Sequence, residues 1–290
     1  METFRTSDGR TLAYHLSGSG PTLVCHPGGP GFSSRYFADL AGLGEHFTLA
    51  MLNPRGSEGS DRPPDARGYT TEDYVADLDE FRTHLGLDRM LLLGHSHGGV
   101  VAQAYAARRP EHVDRVVLAS TIARFQSEQE AAMQAAVEAK SGAPWFEDAL
   151  AALQAEQAGE WGSDEDLAEI VLREFPFYFA AYGDRERAYL RVLDGEIPCG
   201  AALRLFNEEI FATFDLRPEL PRITSPALVI TGEDDFICGP VNAREIAEGI
   251  PGAVLELLPD CGHFVFVEQP ELFAEAIRSF LAGAGAPVAA

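Results

Sequence analysis

Leu91-Leu92-Leu93-Gly94-His95-Ser96-His97-Gly98-Gly99 is the stretch that decides the fold of this 290-residue chain. It reads as a short apolar strand, then Gly-x-Ser-x-Gly, then a helix beginning at Val100-Val101-Ala102-Gln103. A serine so placed sits on a sharp strand-to-helix turn, with its hydroxyl lifted out of the backbone. Gly94 and Gly98 suit such a turn because a side chain there would crowd the backbone and cover the hydroxyl. The helix that follows aims its first amides at the serine, where they stabilise negative charge.

Outward from the elbow, apolar segments alternate with helical ones. Strands are expected at residues 11–16, 22–25, 47–52, 90–93 and 113–119, with a turn at Gly18-Ser19-Gly20-Pro21. Residues 71–85 carry Tyr74, Leu78, Phe81 and Leu85 at helical spacing. Short apolar strands parted by helices predict a mainly parallel sheet covered on both faces. The rhythm breaks at residues 124–215, which are rich in Ala, Glu and aromatic residues and contain no strand pattern. Strands resume at 227–231 and 254–258, and a helix closes the chain at 270–282. We therefore expect a core formed by residues 1–123 and 216–290, with 124–215 inserted as a helical cap. Residues 283–290 are expected to fray.

Ser96 needs a base to take its proton, and that base needs an orienting carboxylate. On such a sheet the chain order is Ser, then Asp or Glu, then His. Beyond His97 the histidines are His112 and His263. His112 falls at the entry to a strand, near the far end of the nucleophile helix. His263 follows the last strand in Asp260-Cys261-Gly262-His263, so it is the expected base. The carboxylate should follow the strand at 227–231, where Gly232-Glu233-Asp234-Asp235 offers three acids; Asp235 is preferred and Asp234 is its rival. The oxyanion of an acyl transfer needs N–H donors. The amide of His97 is one candidate. The other lies in His26-Pro27-Gly28-Gly29-Pro30-Gly31, with Gly29 ahead of Gly28.

Composition narrows the class. The formal charge is −23, and lysine occurs only at Lys140. Such acidity opposes binding to nucleic acid or anionic lipid. No apolar run is long enough to span a bilayer, and the N-terminal residues lack an apolar signal core, which points to the cytoplasm. Cys25, Cys199, Cys238 and Cys261 lack metal-ligand spacing and read as small buried hydrophobes. His95 and His97 flank the serine on opposite sides of the turn, so they do not share a metal.

Together these pieces resemble the α/β-hydrolase superfamily, over nearly the whole chain. Gly28-Gly29-Pro30-Gly31 and Arg55-Gly56-Ser57-x-Gly59-Ser60 resemble the proline iminopeptidases, serine peptidases that release an N-terminal proline. Pro27 stands where that family has a histidine, and Asn53-Pro54 replaces its Asp-Gln. The Gly-His-Ser-His-Gly-Gly context is closer to esterase-like members. The resemblance implies acidic groups that hold a substrate amine. One is a cap glutamate in the region of Asn207-Glu208-Glu209, here Glu208. The second follows the catalytic aspartate in some members, and that place is Phe236, which suits an apolar group. Gly28, Glu208 and Phe236 are thus the expected substrate contacts, with cap aromatics such as Trp145, Phe175, Tyr178 and Phe206 dividing between cap core and pocket wall.

The expected function is hydrolysis of a small ester or amide through an acyl-enzyme, without cofactor or metal. Two other uses of the scaffold compete: a non-hydrolytic ligand receptor, and a cofactor-free oxygenase or perhydrolase. Ser96 at the elbow excludes the aspartate-nucleophile dehalogenases and epoxide hydrolases.

Overall fold

A computed structural model describes residues 1–282; the tail read as frayed lies outside them. Eight strands form one sheet: β1 (Glu2–Arg5), β2 (Thr11–Gly18), β3 (Thr22–His26), β4 (Thr48–Asn53), β5 (Met90–His95), β6 (Val113–Ala119), β7 (Ala227–Gly232) and β8 (Val254–Leu258). Their spatial order is β1-β2-β4-β3-β5-β6-β7-β8. The pairs β1–β2 and β2–β4 are antiparallel, and all the others are parallel. Every residue of β5 and β7 is buried. That is why these central strands read as unbroken apolar runs, whereas β8 at the edge alternates between exposed and covered residues.

The period-two alternation divides the core between the two faces. Val24 and Leu92 pack on one side with Phe81 of α1 (Thr71–His84) and Val100 and Val101 of α2 (His97–Arg108). Leu91 and Leu93 point to the other side, where the closing helix brings Phe273, Ile277 and Leu281. Thr70 caps α1 by accepting from Asp73 N–H, while the Asp73 carboxylate accepts from Thr70 N–H. Sequence reading missed β1. Only Phe4 is buried in it, so no alternation announces the strand. What holds it is the stacking of Phe4 on Phe81, with ring centroids 5.4 Å apart.

Between β6 and β7 lie α3 (Ser127–Glu138), α4 (Phe146–Gln157), α5 (Asp164–Glu174), α6 (Asp184–Tyr189) and α7 (Gly200–Leu205), the last running into a π-turn over Phe206–Ile210. The two ends of this block meet in an antiparallel bridge, Arg124↔Asp215. The chain then continues through α8 (Pro240–Gly249), α9 (Val265–Glu268) and α10 (Pro270–Leu281). Among the described residues, no helix is long and apolar enough to cross a membrane.

Candidate active site

Ser96 joins β5 to α2 at φ 55°, ψ −123°, a conformation that costs a non-glycine residue about 1–3 kcal/mol. Its surroundings hold it there. Ser96 N–H donates to Ala119 C=O (3.0 Å), and the Ser96 carbonyl accepts from Thr121 Oγ1 (2.7 Å) and Gly99 N–H (2.8 Å). The loop after β3 lies directly against the elbow. A Cβ on Gly98 would come within 2.2 Å of His26 C=O, and one on Gly28 within 2.3 Å of Ser96 Cβ. The glycines are therefore needed for close approach between two chain segments.

Asp235 and His263 come from the loops after β7 and β8. Asp235 Oδ2 accepts from His263 Nδ1 at 2.9 Å. Its Oδ1 accepts the amides of Ile237 (3.1 Å) and Cys238 (2.9 Å). Burial alone would raise the Asp235 carboxyl, but the His263 charge and hydrogen bond, with the two amides, outweigh it and hold the group below the usual carboxylate range. Glu233 and Asp234, the neighbouring acids, are exposed. His263 is fixed through its main chain: its N–H donates to Tyr178 C=O (2.7 Å), and its C=O meets His95 Nε2 (3.0 Å). With Nδ1 engaged by Asp235, Nε2 is the ring nitrogen left unengaged. Ser96 and His263 line the same cavity. Neither Ser96 Oγ nor His263 Nε2 has a hydrogen-bond partner among the described residues.

Two amides border that cavity without an acceptor among the described residues, those of Gly29 and His97. His97 opens α2, so its N–H has no intrahelical partner. Gly28 differs. Its N–H donates to the Tyr36 hydroxyl. His97 also contributes its ring to the cavity wall, set edge-on against Tyr74 and Phe206 at 5.1 and 5.0 Å. His112, the other histidine of the sequence reading, hydrogen-bonds Asp88 C=O and lies outside the cavity wall.

The cavity, about 150 Å³, is mostly apolar, with Phe175, Tyr178, Phe206 and Phe211 of the helical block among its walls. Gly28 lies at the cavity, as expected; Glu208 and Phe236 do not. Glu208 follows Asn207 on the π-turn and points to open surface, paired with Arg204 at 3.4 Å. Phe236 turns inward against Phe177 and Tyr178, and Ile237 and Cys238 line the cavity in its place. The acids that do face the cavity are Glu156 of α4 and Glu174 of α5, accompanied by Asn207. Glu156 accepts from Asn207 Nδ2 at 2.8 Å. Glu174 is 2% exposed; one oxygen meets the Tyr178 hydroxyl at 3.3 Å, and the other has no partner. Burial raises both carboxyls, and Glu156 raises Glu174 further. The sequence held one signal for Glu174, an acid directly before the aromatic run Phe175-Pro176-Phe177-Tyr178. Glu156 is one acid among several on α4 and carried none.

Among the described residues, one group of metal-capable side chains converges, Asp235, Cys238 and His263, with candidate ligand atoms within 4.8 Å of one another. There Asp235 and His263 already satisfy each other. Cys238, like the other three cysteines, is a buried free thiol.

Glu268 ties the His263 loop to the helical block, accepting Gly262 N–H (2.7 Å) and Ala180 N–H (2.8 Å). Burial raises its carboxyl from 4.5 to about 7, against the lowering pull of those amides. The unfolded chain therefore releases this proton first as pH rises. The contribution is full below the unfolded value and is lost as pH passes through about 7. Glu268→Gln removes the titration, and its lost acceptor adds only a pH-independent offset. Between pH 4 and 8, wild-type stability should fall relative to the variant by about 3 kcal/mol. Urea unfolding of both proteins across that range measures it; a gap that does not change with pH would refute the shift.

An eight-stranded, mostly parallel sheet that presents a serine elbow and an acid–histidine pair at one cavity has the build of an α/β hydrolase. The chain belongs to that family: the alpha/beta hydrolase fold family matches it over residues 21–270. It is 30% identical to "Proline iminopeptidase PfmaB" of Pestalotiopsis fici, over 97% of this chain and 99% of that protein. Among solved structures it resembles a hydrolase from Pseudomonas aeruginosa, at 30% identity and TM-score 0.72, covering 98% of each chain. It also resembles the enol-lactonase from Burkholderia xenovorans, at 27% identity and TM-score 0.75, covering 97% of this chain and all of that one.

Proposed function

We propose that this hydrolase is a cofactor-independent serine hydrolase that cleaves a small ester or amide through an acyl-enzyme. One observation carries the reading. A strained serine, a histidine bonded to a buried carboxylate and two amides without acceptors border one cavity. Ser96 Oγ attacks the substrate carbonyl carbon as its proton passes to His263 Nε2. The Asp235 carboxylate stabilises the imidazolium. The oxyanion is held by the amides of Gly29 and His97. Collapse breaks the bond to the leaving group, which takes the proton from His263. Water then attacks the acyl carbon, His263 again moves the proton, and Ser96 is released. Residues 124–215 act as a cap that shapes the acyl site. The partner is a small molecule, and neither nucleic acid nor membrane has a part. A fluorophosphonate should label Ser96 stoichiometrically, and an unlabelled protein would refute the mechanism.

Glu156 and Glu174 favour a second, narrower reading, in which the acyl group carries a cationic amine, as an N-terminal prolyl substrate does. A buried Glu174 carboxyl oxygen without a partner in an apolar cavity leaves a place for an N–H donor, and a cationic amine there would hold the group ionised against the burial that raises it. The similarity to a proline iminopeptidase supports this, whereas Phe236 and the outward Glu208 leave both amine positions implied by the resemblance without a carboxylate at the cavity. In Glu174→Gln, release of 2-naphthylamine from prolyl-2-naphthylamide should fall about 10- to 100-fold, the loss of a charged hydrogen bond. Hydrolysis of p-nitrophenyl butyrate should change less than about threefold. Equal effects on both would favour a plain esterase.

A further inference from the structure

We propose that Tyr36 and His95 are positioning residues, which join the oxyanion loop to the main chain of His263 through one continuous, one-way hydrogen-bond relay. The inference rests on the serine-hydrolase reading and extends it to two residues of the cavity wall that take no part in bond making. Gly28 N–H, the Tyr36 hydroxyl, the His95 ring and His263 C=O follow one another at 2.5, 2.8 and 3.0 Å. They come from three separate segments: the loop after β3 with the 3₁₀ turn Ser34–Phe37, the last residue of β5, and the loop after β8.

Chemistry at the two ends sets the direction. An amide N–H only donates, so the Tyr36 oxygen accepts from Gly28 and its own hydrogen is free to go forward. A carbonyl only accepts, so His95 must carry a hydrogen on Nε2. Burial holds His95 neutral by lowering it to about 3, with the His263 charge adding to that effect. Its Nδ1 is then a lone-pair acceptor for Tyr36 O–H. Both ends demand the same tautomer, and the relay closes without an unpaired group.

Packing encloses both side chains. Tyr36 is 5% exposed and His95 is 2% exposed. Phe264 lies parallel to the His95 ring at 5.9 Å, and Phe266 stands edge-on to it at 5.3 Å. His95 is also the chain neighbour of Ser96, and its ring lies 4.7 Å from that of His263. The consequence is a division of labour within the glycine loop. The Gly28 amide is spent on the relay, which fixes the loop and leaves the next amide, that of Gly29, for the oxyanion. The same relay holds His263 from behind while Asp235 orients its ring.

Tyr36→Phe and His95→Leu should each lower kcat about 10- to 100-fold with KM changed less than about threefold, because misplaced oxyanion donors act on the transition state. Affinity for 1,1,1-trifluoropentan-2-one, a ketone that mimics a butyryl ester, should fall in step with kcat/KM for p-nitrophenyl butyrate. The double variant should be no worse than the poorer single one, since a broken relay cannot be broken twice. His95→Gln, which keeps an acceptor and a donor at similar reach, should recover most of the loss. Multiplying losses, or an unchanged ketone affinity, would overturn the proposal. A measurement on the wild-type protein does not depend on any variant folding: ¹⁵N shifts should report the Nε2–H tautomer of His95 throughout pH 5–8. An Nδ1–H tautomer or a titration in that range would overturn the relay. Failure of wild-type labelling by fluorophosphonate would instead refute the serine mechanism, with the tautomer result still standing.

Discussion

Ser96→Ala should reduce kcat for p-nitrophenyl acetate by about five to six orders of magnitude, as expected when one member of a nucleophilic unit is deleted. The reason is specific. The His263–Asp235 pair and the two amides can polarise a carbonyl, but without Oγ no acyl-enzyme forms and the site is left with binding and oxyanion stabilisation. Folding should be unaffected, because the Ser96 hydroxyl makes no hydrogen bond among the described residues. The backbone adds an internal control. Alanine keeps the strain of φ 55°, whereas glycine relieves it, so Ser96→Gly should be more stable than Ser96→Ala by about 1 kcal/mol while equally inactive. Steady-state turnover and urea melts of the two variants check both halves. Retained turnover in either would remove Ser96 from the mechanism.

Asp235→Asn should cost about 10⁴ in kcat, and the geometry says how. Oδ1 of this residue receives two backbone amides, from Ile237 and Cys238. An asparagine must therefore turn its carbonyl oxygen to those donors and its NH₂ towards His263 Nδ1. Two donors cannot face each other, so His263 moves its hydrogen to Nε2 and stops being a base towards Ser96. Asp234→Asn, next door and exposed, should change kcat less than about twofold. The pair of measurements separates the acids that sequence left as rivals. A large loss at Asp234 with a small one at Asp235 would reverse the assignment.

Much of the fold was legible because its signals are local. The unbroken apolar runs of β5 and β7 and the helical spacing of Tyr74, Leu78 and Phe81 follow from burial on one or two faces. The strand β1 escaped because only Phe4 of its four residues is buried, and an edge strand needs no alternation. For the candidate site, chain order and loop position selected Ser96, Asp235, His263, Gly29 and His97, each of which follows a recognisable strand; the structure sets Ser96, His263, Gly29 and His97 around one cavity, with Asp235 bonded to His263. The acids that face the cavity were not legible. Glu208 and Phe236 were selected by their place along the chain, but side-chain direction on the π-turn and on the loop after β7 turns one to the surface and the other to the core.

Sequence by itself determined the α/β layering and the order of the chemical groups, because strand and helix periodicity and the tight elbow are properties of neighbouring residues. Only the tertiary structure decided that Glu156 and Glu174, on different helices, face the cavity of Ser96, and that Gly28, Tyr36, His95 and His263 form one chain of hydrogen bonds. Those relations join residues up to 168 positions apart. They depend on packing and on which atoms are left without water, which no local pattern encodes.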